Sequence, residues 1–418
     1  MIRRDNQFRA GADHQEGGDA EIYENINYRF CLEISDNRPS IKIKGETLMR
    51  TVKIYFLILS FALAMASVFY LPANQASATS TYPGTDNVVF LEVANVAKDP
   101  TDLPAPINRS NPGTVTVDLY VQEVIAEIAP GERAWVWTFA GTPTGPFTVP
   151  GPMIRAMVGD TVVINLINNM AGNIEPHNID LHASMGPGGG AAVTDVEPGE
   201  TATLSFKALR NGAFIYHCAG EGMAWEHISY GMYGLIMIEP KGGLESVDKE
   251  FYIGQGDWYF KPAGEGEKHG IPSDVLMLDE DLASEERPTM YSFNGHKNAL
   301  TDPGLFGEAM RVTVGSTVRF FFVTGGPNIG SNFHIIGTIF DKVYKGHYKD
   351  FTRNEETLYV PPGSAAVIEL STPVPGKYPI VDHAIWRVTK GTAGFMHVDD
   401  PFVAWPHDIY SPNPADMP

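Results

Sequence analysis

One stretch of the chain, FIYHCAGEGMAWEHISYGM (214–232), concentrates side chains that bind soft metal ions. His217 and Cys218 are adjacent, His227 follows nine residues after the cysteine, and Met232 follows five residues after that histidine. Two imidazoles, a thiolate and a weak axial thioether form the electron-transfer site called type 1 or blue copper. A packed core has no use for such a cluster, so the stretch predicts a metal site.

The fourth donor has to come from another segment, and EPHNIDLHA (175–183) offers His177. Zinc uses some of the same donors, but structural zinc sites usually contain several cysteines. The predicted metal is therefore copper, and its predicted ligands are His177, Cys218, His227 and Met232.

Strand geometry predicts a second metal site behind the first. Neighbouring strand residues point to opposite faces, so His217 faces away from a metal bound by Cys218. His177 and His182 are five residues apart, an odd number, so an extended segment would make them diverge too. His182 and His217 can then meet on the far side, where His383 is available as a third imidazole. Three histidines with an open position form a catalytic site, which the His217–Cys218 peptide would link to the first.

The elements that position these residues are predicted to be β-strands. Short β-branched and aromatic segments follow one another between Gly/Pro turns, and long helical patterns are few. The predicted strands are 114–121, 133–139, 160–167, 202–208, 233–240, 289–295, 316–323, 332–337 and 364–370. Strands at this spacing predict an all-β fold of Greek-key sandwiches or barrels.

The two halves of the chain repeat one pattern. VGDTVVINL (158–166) has a counterpart in VGSTVRFFF (314–322), and VEPGETATLSF (196–206) has one in VPPGSAAVIEL (360–370). A histidine follows each of these segments: His177, His334, His217 and His383. The repeat predicts two tandem β-domains and a tail, with the boundaries 79–243, 244–402 and 403–418.

The N-terminal residues are predicted to lie outside the folded protein. Residues 1–48 are polar and aperiodic, which indicates that translation truly starts at Met49. A basic start, an apolar run of 18 residues and an Ala-Ser-Ala site give 49–78 the pattern of a signal peptide, so the mature chain is expected to begin at Thr79. A retained membrane anchor is the alternative, since 18 apolar residues could span a bilayer. We therefore expect an exported, periplasmic protein with no membrane segment in its mature form.

Charge and cysteine content limit the partners. The net charge is −20 and stays so without residues 1–78, which hold nine basic and nine acidic residues. This charge argues against nucleic acid or an anionic membrane as a partner. Of the two cysteines, Cys31 is lost with that segment, so Cys218 has no partner for an intramolecular disulfide. Five further histidines are predicted to be solvated surface residues: His269, His296, His347, His397 and His407.

Taken together, these residues resemble copper-containing nitrite reductase. The segments PHNIDLHA, FIYHCAGEGM, YSFNGHKNALT, NFHIIG and VDHAIW carry the resemblance, which covers most of residues 85–400. It implies two tandem cupredoxin domains and a type 1 copper bound by His177, Cys218, His227 and Met232. It also implies a type 2 copper bound by His182, His217 and His383.

The resemblance further implies a reaction and an assembly. Asp180 and His334 match the pair that binds and protonates nitrite, and Ile336 matches an apolar residue that shapes the pocket. Nitrite reduction to nitric oxide and water takes one electron and two protons, and a carboxylate with a histidine suits that proton transfer. The family is a homotrimer with type 2 sites between subunits, and the implied electron donor is a small redox protein, a cytochrome c or a cupredoxin.

The chain departs from the family pattern near the predicted type 1 site. Gly220 stands where the family commonly has proline. Glu226 separates Trp225 from His227, whereas the family usually has tryptophan directly before this histidine. These changes bear on the donor-docking surface and on the colour and potential of the site.

Other functions that use a related fold fit less well. A laccase-type multicopper oxidase needs His-x-His motifs for its trinuclear centre, and the chain contains none. A pure electron carrier with a degenerate second domain needs neither Asp180 nor His182 and His383, whose joint presence argues against it. A copper-storage or structural role fits least.

Overall fold

Residues 88–264 and 270–400 are described by a computed structural model, and strands dominate both ranges. The strands of the first half are β1 (Leu91–Asn95), β2 (Thr114–Ala129), β3 (Glu132–Ala140), β4 (Ile154–Met157), β5 (Thr161–Asn168), β6 (Asp180–Leu181), β7 (Glu200–Lys207), β8 (Gly212–His217) and β9 (Tyr233–Glu239). Those of the second half are β10 (Lys249–Trp258), β11 (Phe260–Pro262), β12 (Leu276–Leu278), β13 (Met290–Phe293), β14 (Arg311–Thr313), β15 (Thr317–Gly326), β16 (Ser331–Ile335), β17 (Lys342–Tyr344), β18 (Thr357–Val360), β19 (Ser364–Ser371), β20 (Gly376–Asp382) and β21 (Ala393–Asp399).

Helices are short. They are α1 (Ala224–Ser229), α2 (Glu280–Ser284) and 3-10 segments at Pro187–Val193, Gly220–Gly222 and Ile385–Lys390. Within the two described ranges, no helix is long and apolar enough to cross a bilayer. The predicted leader, signal peptide and C-terminal tail lie outside the described residues, as do His269 and His407.

The all-β prediction is confirmed, and each predicted strand is present with ends shifted by a few residues. The largest difference is in β2, which was predicted to end at residue 121 and continues to Ala129. Its second part is buried on both faces and does not alternate, because the strand lies inside a sheet that is covered on both sides. By contrast, β5 alternates between buried and partly buried residues along its whole length.

The two halves repeat one topology. In the first half β2 pairs parallel with β5, which pairs antiparallel with β7, and β10, β15 and β19 repeat this arrangement. The sheet order β4-β9-β8-β6 is likewise repeated as β14-β21-β20-β16. The internal repeat read from the sequence is therefore a repeat of strand order.

The halves also share structure. The sheet of the first half has the order β11-β12-β3-β2-β5-β7, so it takes two strands from beyond residue 243. Leu276 of β12 lies opposite Ala134 of β3. A buried ion-pair cluster adds to this, because Arg155 on β4 and Arg319 on β15 both bond to Glu250 on β10, at 2.9 and 2.7 Å. The domain boundary at 243/244 stays a prediction.

Candidate metal centres

The first cluster is built where β8 ends. Cys218 directly follows β8, His227 lies on α1, and His177 lies just before β6. His177 Nδ1 is 3.6 Å from Cys218 Sγ and 3.2 Å from His227 Nδ1, and all three residues are buried. Met232, immediately before β9, is fully buried, and its carbonyl accepts the Cys218 N–H at 3.1 Å. The structure thus brings the predicted ligands His177, Cys218 and His227 together. A backbone hydrogen bond joins Met232 to Cys218.

Electrostatics suit this cluster to a cation. Burial lowers the pKa of His177 to about 3 and holds the pKa of His227 well below its usual value, so both imidazoles are neutral. Burial also raises the pKa of the Cys218 thiol to about 12. The two Nδ1 atoms and the sulfur therefore converge without a charge among them. A bound soft metal would take the lone pairs of both nitrogens and deprotonate the thiol, so the donor set fits copper.

Asn178 organises the sulfur and was not singled out from the sequence. Its backbone N–H donates to Cys218 Sγ at 3.2 Å, and its side-chain oxygen accepts the Ala219 N–H at 2.7 Å. Its side-chain amide donates to Asp195 at 3.0 Å, which fixes its orientation. The position next to His177 was the available signal, but an Asn in a strand-end segment is usually read as a turn residue.

The second cluster lies on the opposite face of the pair formed by β6 and β8. Asp180 on β6 is opposite His217 on β8, and His182 Nε2 is 3.2 Å from His217 Nε2. Atoms of these three side chains lie within 4.8 Å of one another. Burial and the neighbouring His217 lower the pKa of His182, and the smaller effect of Asp180 raises it. Strand parity predicted that His217 points away from Cys218 and His182 away from His177. In the structure the two members of each pair do lie in different clusters.

A glycine-rich turn covers the carboxylate of this cluster. Gly189, in the segment Pro187–Val193, has a φ of +54°, and a Cβ built on it would lie 1.9 Å from Asp180 Oδ1. A side chain at this position would collide with the carboxylate, so Gly189 is needed both for its conformation and for the close approach.

The remaining site residues form a third group in the second half. His334 on β16 and His383, directly after β20, have ring centroids 5.1 Å apart at an angle of 72°. His334 Nδ1 donates to the Glu356 carbonyl at 2.6 Å. Together with Asn332, Thr357 and Ala384, these residues line an open pocket. Ile336, just beyond β16, is exposed.

Within one chain, the predicted type 2 ligands are therefore divided. His182 and His217 share a cluster with Asp180, whereas His383 pairs with His334. Among the described residues of a single chain, no group unites the three predicted histidines.

The prediction for the surface histidines is partly wrong. His347 is exposed as expected. His296, in the turn after β13, is 5% exposed: its Nδ1 donates to the Lys297 carbonyl at 2.9 Å, and its Nε2 lies 3.5 Å from Glu127 on β2. His397 is half-buried on β21, where it groups with two carboxylates. Those carboxylates already form ion pairs, Asp302 with Lys377 and Glu308 with Arg311.

The two departures from the family pattern have local structural reasons. A Cβ at Gly220 would lie 2.5 Å from the Pro176 carbonyl oxygen and 2.7 Å from His227 Cε1. The absence of a side chain at position 220 therefore leaves space for the His227 ring. Glu226 lies within α1 between Trp225, which is 47% exposed, and His227, which is buried.

Comparison with known proteins adds to this geometry. Residues 121–243 match a family model described as multicopper oxidase. Over 299 residues the chain is 43% identical to the copper-containing nitrite reductase of Neisseria meningitidis serogroup A, which covers 71% of this chain and 73% of that protein. It is 34% identical over 301 residues to the enzyme of that name from Alcaligenes xylosoxydans, covering 68% and 86%.

Solved structures agree. The chain is similar to a copper nitrite reductase from Nitrosomonas europaea, with 31% identity, a TM-score of 0.57 and coverage of 68% of this chain and 94% of the other. A multicopper oxidase structure aligns with 23% identity and a TM-score of 0.55, covering 73% and 98%. At that identity the second likeness shows a shared fold alone.

Proposed function

The chain belongs to the copper-containing nitrite reductase family, and we propose that it reduces nitrite by one electron to nitric oxide and water. The observation that carries this proposal is the His217–Cys218 peptide, whose two side chains belong to different clusters on opposite faces of β8. A single covalent link between a buried redox site and a partly exposed site is what an electron relay to a substrate requires.

We assign one copper to each site. The type 1 ligands are His177, Cys218, His227 and Met232. The type 2 ligands are His182 and His217 of one subunit and His383 of a second copy. Copper bound at these ligands would supply one-electron redox chemistry.

The division of the second site supports a homotrimer. His182 and His217 cluster with Asp180 and without a third histidine among the described residues of one chain, and His383 lies in an open pocket with His334. Large apolar side chains are exposed near that pocket, namely Ile336, Tyr359, Ile385 and Trp386. Repeated contacts between the first half of one subunit and the second half of the next close into a ring. Each ring interface would then unite the two groups of residues.

Asp180 and His334 would supply the protons. Nitrite, two protons and one electron give nitric oxide and water, so one nitrite oxygen leaves as water after two proton transfers. His334 uses Nδ1–H to donate to the Glu356 carbonyl, which leaves Nε2 to take up and deliver a proton. The Asp180 carboxylate, which lies beside His182, would hold the other proton. Ile336 would limit the space beside the substrate.

The electron donor would be a small redox protein, a cytochrome c or a cupredoxin, and the protein would act in the periplasm. His227 on α1 is 2% exposed, whereas Trp225 on the same helix is a large side chain that is 47% exposed. We therefore expect the donor to dock over α1.

Copper analysis and EPR spectroscopy test the proposal. We expect two coppers per chain, one with an intense visible thiolate-to-copper band, and a second EPR signal that nitrite perturbs. One copper per chain and an EPR spectrum that nitrite does not change would indicate an electron carrier. Oxygen consumption in place of nitrite reduction would indicate an oxidase.

A further inference from the structure

The carboxyl group of Glu123, on β2, is buried beside the first cluster, and this burial raises its pKa to about 8. Glu123 is fully buried, and its Oε1 atom lies 3.3 Å from His177 Nε2. The same oxygen accepts the backbone N–H groups of Ile174 and Glu175, both at 2.9 Å. Two backbone N–H donors and one ring nitrogen from the segment 174–177 thus converge on one oxygen of one side chain.

The other oxygen of this carboxylate makes no comparable contact. Oε2 is buried and has no hydrogen-bond partner among the described residues. A buried polar atom without a hydrogen-bond partner destabilises the fold. The presence of Glu123 here therefore calls for a reason other than fold stability. Its visible contacts all go to the loop that delivers His177.

The ring geometry says what Glu123 does for His177. A neutral imidazole carries its proton on one nitrogen, and the nitrogen without it is the one that can bind a metal. His177 Nδ1 faces Cys218 Sγ and His227 Nδ1, so the proton has to be on Nε2 for the cluster to bind copper. Nε2 faces Glu123 Oε1, and Trp137 packs edge-on against the ring at 5.4 Å.

We propose that Glu123 is a positioning residue for the type 1 site: its Oε1 accepts the His177 Nε2–H and holds Nδ1 toward Cys218. This inference rests on the proposed type 1 assignment. Such carboxylate–histidine–metal arrangements fix the tautomer and the ring orientation of a ligand. Glu123 acts through His177 and does not contact the substrate.

The matched variants are Glu123→Met and Gln122→Met. Methionine at 123 keeps the approximate volume and removes the acceptor. Gln122 is the neighbouring buried residue of β2, and its amide bonds to Ala171 and Asn173 of the same loop, at 3.2 and 3.0 Å, without reaching His177. Its replacement perturbs the loop to a similar degree but leaves the His177 partner in place.

Two readouts separate positioning from a general structural role. In the copper-free protein, nitrogen-15 NMR should show His177 protonated at Nε2 in the wild type and in Gln122→Met, and a mixture of tautomers in Glu123→Met. In the loaded protein, competition with a chelator should show that Glu123→Met binds type 1 copper roughly 10- to 100-fold more weakly, with a shifted visible band. Gln122→Met should keep wild-type copper affinity and spectrum.

A third variant keeps the test decisive if Glu123→Met does not fold. In Glu123→Gln the amide oxygen has to face the two backbone N–H groups, so an acceptor toward His177 remains and the Nε2–H tautomer should persist. Wild-type His177 protonated at Nδ1, mixed tautomers in Glu123→Gln, or equal copper loss in Glu123→Met and Gln122→Met would each overturn the inference. A wild type without the visible band would instead refute the type 1 assignment beneath it.

Discussion

The two halves of the molecule have one strand order but use its two faces differently. We call the face that carries His217, or its counterpart His383, the outer face. On this face each half has a T-shaped pair of histidine rings, with centroids 5.2 Å apart for His182–His217 and 5.1 Å apart for His334–His383. The second member of each pair lies at the end of an equivalent strand, β8 or β20. The pairs are thus two copies of one feature.

On the inner face the halves differ. The first half continues from His217 into Cys218, which meets two more imidazoles. The second half continues from His383 into Ala384, and its core contains mutually packed rings from Phe293, Phe320, Phe322, Phe333 and Phe340. The outer histidine pair is therefore compatible with either interior. The comparison teaches that a histidine pair on one face of a cupredoxin sheet does not require a cluster of candidate metal ligands on the other.

If the two outer pairs are complementary parts of one site, mixed assemblies should restore what each parent lacks. One chain carries His383→Ala, and the other carries His182→Ala with His217→Ala. Each alone should lack activity, because every site misses at least one imidazole. Co-refolded trimers should regain nitrite reduction and type 2 copper at interfaces that unite intact halves, with wild-type refolding as the control. Verified mixed trimers without activity or type 2 copper would show that one chain supplies all three ligands.

The difference between the inner faces is tested by Cys218→Ala, which gives the first half the residue that the second half has at the equivalent position. The visible band should disappear, because the thiolate-to-copper transition needs the sulfur. Nitrite should still perturb the remaining EPR signal, since His182 and His217 are untouched. Persistence of the band in this variant would contradict the type 1 assignment.

The outer faces differ at the position of Asp180, since Asn332 occupies the corresponding place opposite His383. Asp180→Asn makes the halves alike at this position and removes the carboxylate while keeping its shape. Turnover should fall about 10²- to 10⁴-fold, the usual contribution of a general acid or base. Copper content and the visible band, measured on the same sample, should stay at wild-type values. Undiminished turnover across pH would exclude Asp180 from proton delivery.

The sequence predicted the strands and the opposite directions of His217 and Cys218 because both follow from period-two geometry. It did not reveal Glu123, since a glutamate in a strand reads as an exposed residue until a covering loop is known. It also misjudged His296, where turn chemistry next to β13 suggested solvent but the neighbouring strand β2 covers the ring. Burial by distant segments is a tertiary property that local patterns do not contain.

The smallest expected effect concerns the residue two positions after Cys218 in the first half and two positions after Ala384 in the second half. This residue is Gly220 in the first half and Trp386, 81% exposed, in the second. The first half has no room at this position, because a Cβ on Gly220 would lie 2.5 Å from the Pro176 carbonyl oxygen and 2.7 Å from His227 Cε1. Either the backbone or the imidazole has to move in Gly220→Ala.

We expect Gly220→Ala to destabilise the protein by about 1–3 kcal/mol, the usual cost of overpacking. Because the His227 ring is one of the groups that must yield, the visible band and the reduction potential of the type 1 site should also shift. Gly222→Ala is the matched control: its φ of +81° makes alanine unfavourable by about 1–2 kcal/mol, but nothing lies within 4 Å of the added Cβ. The two variants should therefore lose similar stability in denaturant titrations, while the spectrum changes in Gly220→Ala alone. Equal spectra would mean that the backbone absorbs the added methyl group and that the space at position 220 does not set the position of His227.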